Sequence, residues 1–92
     1  MASAAPDNKI FGIDVECVAT GVRSTDRTPA RIVVVNCALE TVFDEFVKPA
    51  EPVFSCITEL TGVTATDLDD AQPREVVLEK LSKVQPSFVA LL

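Results

Sequence analysis

Three short runs rich in β-branched and apolar residues constrain this chain more than any other feature. They are Lys9 to Val18 (KIFGIDVECV), Arg31 to Cys37 (RIVVVNC) and Thr41 to Val47 (TVFDEFV), each with the length and composition of a β-strand. Only Ala38, Leu39 and Glu40 lie between the second run and the third, a spacing that reads as an antiparallel hairpin. Those three turn residues include neither Gly nor Asn, so the turn type stays open. Along the first strand, alternation puts Phe11, Ile13 and Val15 on one face and Gly12, Asp14 and Glu16 on the other. One face is then ordinary core, and the other carries two acids.

The remaining segments fill in an α/β order. Ala19 to Pro29 (ATGVRSTDRTP) has the polar, turn-forming composition of a surface loop. Lys48 to Val53 holds two prolines and should leave the sheet. Thr61 and Gly62 interrupt Ser55 to Asp70, which reads as a single helical turn followed by a loop. Pro73 suits a first helical position, and Val77, Leu81 and Val84, widened by Leu78, form an apolar stripe at helical spacing that ends at Gln85 and Pro86. Ser87 to Leu92 (SFVALL) reads as a further buried strand. The expected fold is a mixed sheet: a three-strand meander, a helix, and a strand returning parallel to the first. No internal repeat is visible. Ninety-two residues hold one small domain at most, with residues 1–8 as a flexible leader.

Charge and cysteine usage narrow the function classes. A formal charge of −6 argues against gripping nucleic acid by a broad basic surface. Carboxylates can hold a polyanion only by recruiting divalent cations, which reverse the local field. Cys17, Cys37 and Cys56 are odd in number, widely spaced and unaccompanied by histidine, so neither a disulfide framework nor a zinc site is indicated. Reduced thiols fit an intracellular protein, cytoplasmic or nuclear. The N-terminal MASAAPDNK has no basic and apolar secretion pattern, and no window reaches about 18 consecutive apolar residues, so neither secretion nor membrane spanning is expected.

Asp14 and Glu16 carry the chemistry. Two carboxylates one residue apart on a strand project from one face and can share a hard divalent cation. Two such cations, about 3.5–4 Å apart, activate a water and stabilise the leaving oxygen of an in-line phosphoryl displacement. Taken alone, an acid pair in an apolar run more often faces solvent without chemistry.

The surrounding residues add to that pair. D-V-E-C-V-A-T-G from Asp14, A-R-I-V-V-V-N from Ala30, V-F-D-E-F-V-K-P from Val42 and L-T-G-V-T from Leu60 follow one another in an order that resembles the DEDDh exonucleases. Within them, the chain is most similar to the RNA exonuclease group of the yeast Rex proteins and the interferon-stimulated 20 kDa exonuclease. The resemblance runs from Ile10 to Leu92 and implies a ribonuclease-H-like exonuclease fold, of which this chain would supply the N-terminal half. It implies hydrolytic removal of nucleotides from the 3′ ends of RNA or single-stranded DNA, with two Mg²⁺ or Mn²⁺ ions in the complete domain. Asp14 and Glu16 would be catalytic residues and metal ligands. Cys17 and Val18 would lie beside the terminal nucleotide, and Thr61 and Gly62 would hold backbone near the substrate. The family's later Asp, its general-base His and its last Asp have no counterpart here, since the sequence contains no histidine and continues no further than Leu92. Ile57 and Glu59 stand where the group tends to have basic residues, and Cys17 replaces its usual Met.

Arg23, Arg27 and Arg31 could form a phosphate-facing patch beside the acids, although loop charges are ordinarily just solvated. Gly62 could equally answer a turn requirement. The functional alternatives are a catalytically inactive truncated form and a nucleic-acid or protein binding module.

Overall fold

Extended backbone suits Phe11–Ala19 (β1), Arg27–Asn36 (β2) and Thr41–Lys48 (β3) because their β-branched and aromatic side chains pack well on a pleated surface. In the computed structural model, which describes residues 10–92, these strands form an antiparallel meander. The expected leader, residues 1–8, lies outside the described residues. A two-residue strand, Gln72–Pro73 (β4), adds in parallel to the end of β3 and makes the sheet mixed, in the order β1-β2-β3-β4.

The hairpin between β2 and β3 closes on Asn36, two residues before the predicted turn. Its Oδ1 accepts from the backbone N–H of Ala38 and Glu40, and its Nδ2 donates to Glu40 Oε1 at 2.8 Å. This brace holds Leu39 at a left-handed φ of 64°, a conformation that costs a non-glycine residue energy, while leaving its side chain in water.

Ser55 to Asp70 folds into two short helices rather than one turn and a loop: Thr58–Thr61 (α1) and Ala65–Asp69 (α2). Gly62, at φ 74°, ends α1 by donating its N–H to the Thr58 carbonyl. Thr64 and Asp67 then form a reciprocal capping box at the start of α2. The predicted long helix spans Arg74–Val84 (α3), with Pro73 at its N-cap rather than in its first helical position.

The end of the chain departs from expectation. Pro86–Leu91 forms a 3₁₀ helix, not a strand, and no parallel neighbour joins β1, which is an edge of the described sheet. Pro86 favours this outcome, having no N–H to give to a ladder and a φ preset for a helical start. The 3₁₀ conformation lets Phe88 meet Phe11 edge-to-face at 6.1 Å, and Phe88 and Leu92 pack against the main core.

Two apolar clusters cover opposite faces of the sheet. The larger joins Ile32, Val34, Phe43 and Val47 to Val77 and Leu81 of α3, with Phe11, Ile13 and Val15 packed alongside. The smaller joins Val18 and Ala30 to Val63 and Leu68 under the α1–α2 segment. The acid-bearing face therefore also has a small core at one end. No described helix is long and apolar enough to cross a membrane.

Leu81 is fully buried between α3 and the sheet. Leu81→Ala should therefore destabilise the chain by about 2–5 kcal/mol, read as a fall in urea midpoint. A change under about 0.5 kcal/mol, as at an ordinary surface position, would contradict this core.

Candidate active site

The β1–β2 ladder keeps one register from Phe11↔Asn36 to Glu16↔Arg31, then slips between Glu16 and Cys17. The slip leaves Ala30 between the paired residues Arg31 and Pro29, and Pro29, which cannot donate to the ladder, suits such an irregularity. Asp14 and Glu16 both precede the slip, so unbroken alternation puts them on the same face of β1. Pairing across three strands then sets two rows on that face. One is Asp14, Val33 and Asp44; the other is Glu16, Arg31 and Phe46. Asp14 is exposed and Glu16 half-buried.

Arg31 sits among these acids and reaches diagonally to Asp44. Its Nε donates to Oδ1 at 2.9 Å and its Nη2 to Oδ2 at 2.8 Å, while the guanidinium lies 5.4 Å from the Phe46 ring centroid. The hydrogen bond from Arg31 holds the Asp44 carboxyl below its ordinary value, and the same bond raises Arg31. Glu16 and Asp67 also act on the Arg31 charge. With Asp44 committed to Arg31, Asp14 and Glu16 remain the two acids of this face that hold no ion pair among the described residues. No group of three or more His, Cys, Asp or Glu side chains converges among the described residues.

The other predicted site residues fall around this pair with different surroundings. Cys17 is half-buried next to Glu16. Burial pushes its thiol pKa up, the Glu16 charge adds to that, and Arg27 pulls the other way. Val18 is 0% exposed, within the smaller cluster with Ala30, Val63 and Leu68. Its side chain is therefore core, and of Val18 only the backbone is left to face outward. Thr61 is also buried, its hydroxyl donating to the Cys56 carbonyl at 2.8 Å and accepting from Val63 N–H at 3.0 Å. Gly62 occupies the left-handed cap of α1 with open space where a Cβ would point. Thr61 and Gly62 thus have structural duties in shaping the segment that bridges back to β1 through Ala19 and Ser55.

The three arginines separate as well. Arg23 faces Asp26 at 3.6 Å, and Arg27 donates to the carbonyls of Arg23 and Asp26, both at 2.9 Å, so these two brace their own loop. Gly21 packs against Asp26 so closely that a Cβ would fall 2.5 Å from its Oδ2. Only Arg31 stands opposite an acid of the β1 pair. Of the three arginines expected as one patch beside the acids, Arg31 alone is put there by strand register.

No family model matches this chain. Over 76 residues it is 30% identical to RNA exonuclease 4 of Mus musculus, covering 83% of this chain and 18% of the relative. RNA exonuclease 4 of Debaryomyces hansenii is 36% identical over 76 residues, 83% of this chain and 28% of the relative. Over the matched region the chain is similar to proteins named as exonucleases. Small RNA degrading nuclease 2 of Arabidopsis thaliana is also similar, at 36% identity over 63 residues, 68% of this chain and 14% of the relative. The aligned region thus spans less than a third of the exonuclease relatives named here.

Two outcomes check this geometry. Asp44→Asn should cost about 0.2–1 kcal/mol near neutral pH, as for other partly exposed pairs. Because the folded Asp44 pKa is depressed, its stabilisation is present above the unfolded value near 3.9 and is lost as pH falls through the folded value. The variant and parent denaturation curves should accordingly converge in acid; a gap that widens there would contradict the pair. With a thiol reagent at neutral pH, exposed Cys37 should be alkylated before Cys17, whose raised pKa and partial burial suppress its thiolate. Mass mapping that finds Cys17 labelled first would overturn that assignment.

Proposed function

We propose that this chain is the N-terminal part of a DEDDh-type exonuclease domain with a ribonuclease-H-like fold, one that removes nucleotides from RNA 3′ ends by hydrolysis. The observation that carries the reading is the placement of Asp14 and Glu16 on one open face of β1, before the register slip, in a chain aligned over most of its length with proteins named RNA exonucleases. Single-stranded DNA is the second substrate class this chemistry accommodates.

The donors suit a hard cation in kind, since both are carboxylates, but two are too few for a closed site. Asp14 and Glu16 would hold part of a Mg²⁺ or Mn²⁺ site, and the remaining donors and the general base would come from residues outside this chain. When bound, such ions activate water and neutralise the charge developing on the phosphoryl group. The chain's own contribution is to fix two carboxylates by strand register on a rigid sheet, with Cys17 beside them. Thr61 and Gly62 shape the adjacent segment, and Val18 anchors β1 beneath it.

The 92-residue chain should show no appreciable exonuclease activity by itself. Positioning supplies about 7–11 kcal/mol of barrier reduction, and a general base roughly a further 10²–10⁴-fold in rate, most of which a half-site forgoes. With no group of three or more metal-holding side chains among the described residues, the second reading is a catalytically inactive form or a nucleic-acid or protein binding module. The assay is 3′-labelled single-stranded RNA with Mn²⁺, with Asp14→Asn as the control for contaminating nuclease. Robust mononucleotide release by the parent and none by the variant would contradict the half-site account.

A further inference from the structure

We propose that Arg31 is a phosphate-binding residue, its guanidinium contacting a backbone phosphate of single-stranded nucleic acid laid along the acidic face of the sheet. The inference rests on reading Asp14 and Glu16 as a metal-holding pair, and it names the group of this chain that meets the polymer beside them.

An acidic chain that handles a polyanion needs cations where the polymer lies, and the described cations are mostly committed elsewhere. Arg23 and Arg27 brace their loop. Lys80 faces Glu45 at 3.8 Å, and Lys48 reaches the Asp69 carbonyl at 3.4 Å. Arg31 alone is paired in register with Glu16, which also makes it a diagonal neighbour of Asp14.

Its geometry suits the task. Asp44 takes the Nε and Nη2 donors on one edge of the guanidinium, and the Phe46 ring centroid lies 5.4 Å from its Cζ. The Nη1 end makes no hydrogen bond among the described residues, and the side chain is 36% exposed, so it is oriented but reachable. A planar, pre-oriented guanidinium fits a phosphodiester better than a flexible ammonium does, because less freedom is lost per hydrogen bond formed. Asp44 acts here as a positioning residue, aiming Arg31 without touching the polymer.

The test is fluorescence anisotropy of a labelled single-stranded oligoribonucleotide over a salt series in EDTA, using the 92-residue chain, with each variant's fold checked by circular dichroism. Arg31→Gln should weaken binding about tenfold at low salt and reduce the slope of log affinity against log salt by about 0.7, the value for one lost contact to a single strand. Arg31→Lys should keep the slope and lose several-fold in affinity, and it serves as the decisive variant if Arg31→Gln does not fold. Arg23→Gln should match the parent. Absent salt-dependent binding by the parent, an unchanged slope in Arg31→Gln, or parent affinity in Arg31→Lys would each overturn the proposal.

A parallel series with Mn²⁺ separates this inference from the metal reading beneath it. Tightening by Mn²⁺ that is lost in Asp14→Asn, together with an unaltered slope in Arg31→Gln, would leave the metal pair standing and remove Arg31. A reduced slope in Arg31→Gln with no Mn²⁺ response in any variant would keep the phosphate contact and remove the metal pair.

Discussion

Between Gly12 and Glu16 the hydrogen bonds of β1 to β2 run without interruption, and in that stretch a shift of a single residue would turn every side chain to the opposite face. The register is pinned by Phe11, Ile13 and Val15, which pack with Ile32 and Val34 against the core under α3. Moving Asp14 into that core would bury a charge with no partner, an outcome several kcal/mol worse by the usual cost of unpaired buried ions. The acids are thus held outward by the apolar residues between them. The slip after Glu16 then lets Ala30 join Val18 in the smaller cluster, so the strand that presents the acids is also anchored on their own side.

The same register organises the electrostatics. Facing carboxylates repel, and three on one face would oppose folding unless a cation stood among them. Arg31 takes that place, binding Asp44 bidentately and standing opposite Glu16. The consequence is a difference among acids that look alike in the sequence. Asp44 is committed to an arginine, while Asp14 and Glu16 hold no ion pair among the described residues.

Much of this was legible in the amino-acid order. The three β-branched runs gave the meander, the period of Val77, Leu81 and Val84 gave α3, and the i, i+2 spacing gave the shared face of Asp14 and Glu16. What escaped depended on contacts between distant segments. Ser87 to Leu92 has a strand's composition, yet Pro86 and the packing of Phe88 on Phe11 wind it into a 3₁₀ helix. The hairpin turn relies on a side chain, Asn36, that sits inside the strand pattern. Val18 looked equivalent to Cys17 by position, and only the folded α1–α2 segment shows that it is sealed into core. The pairing of Arg31 with Asp44 could be inferred only from a register that two slips make hard to count.

The proposed function requires a divalent cation to bind at the Asp14–Glu16 face of β1. Its most direct test is a two-dimensional ¹H–¹⁵N NMR titration of the chain with Mn²⁺, in which paramagnetic broadening reports distance from the ion. Substoichiometric Mn²⁺ should broaden the amides of β1 around Asp14 and Glu16 and of the facing residues Arg31 to Val33, leave α3 on the other side of the sheet sharp, and lose its effect in Asp14→Asn. Broadening centred instead on Asp67, Asp69 and Asp70 around α2, with β1 untouched, would contradict the account.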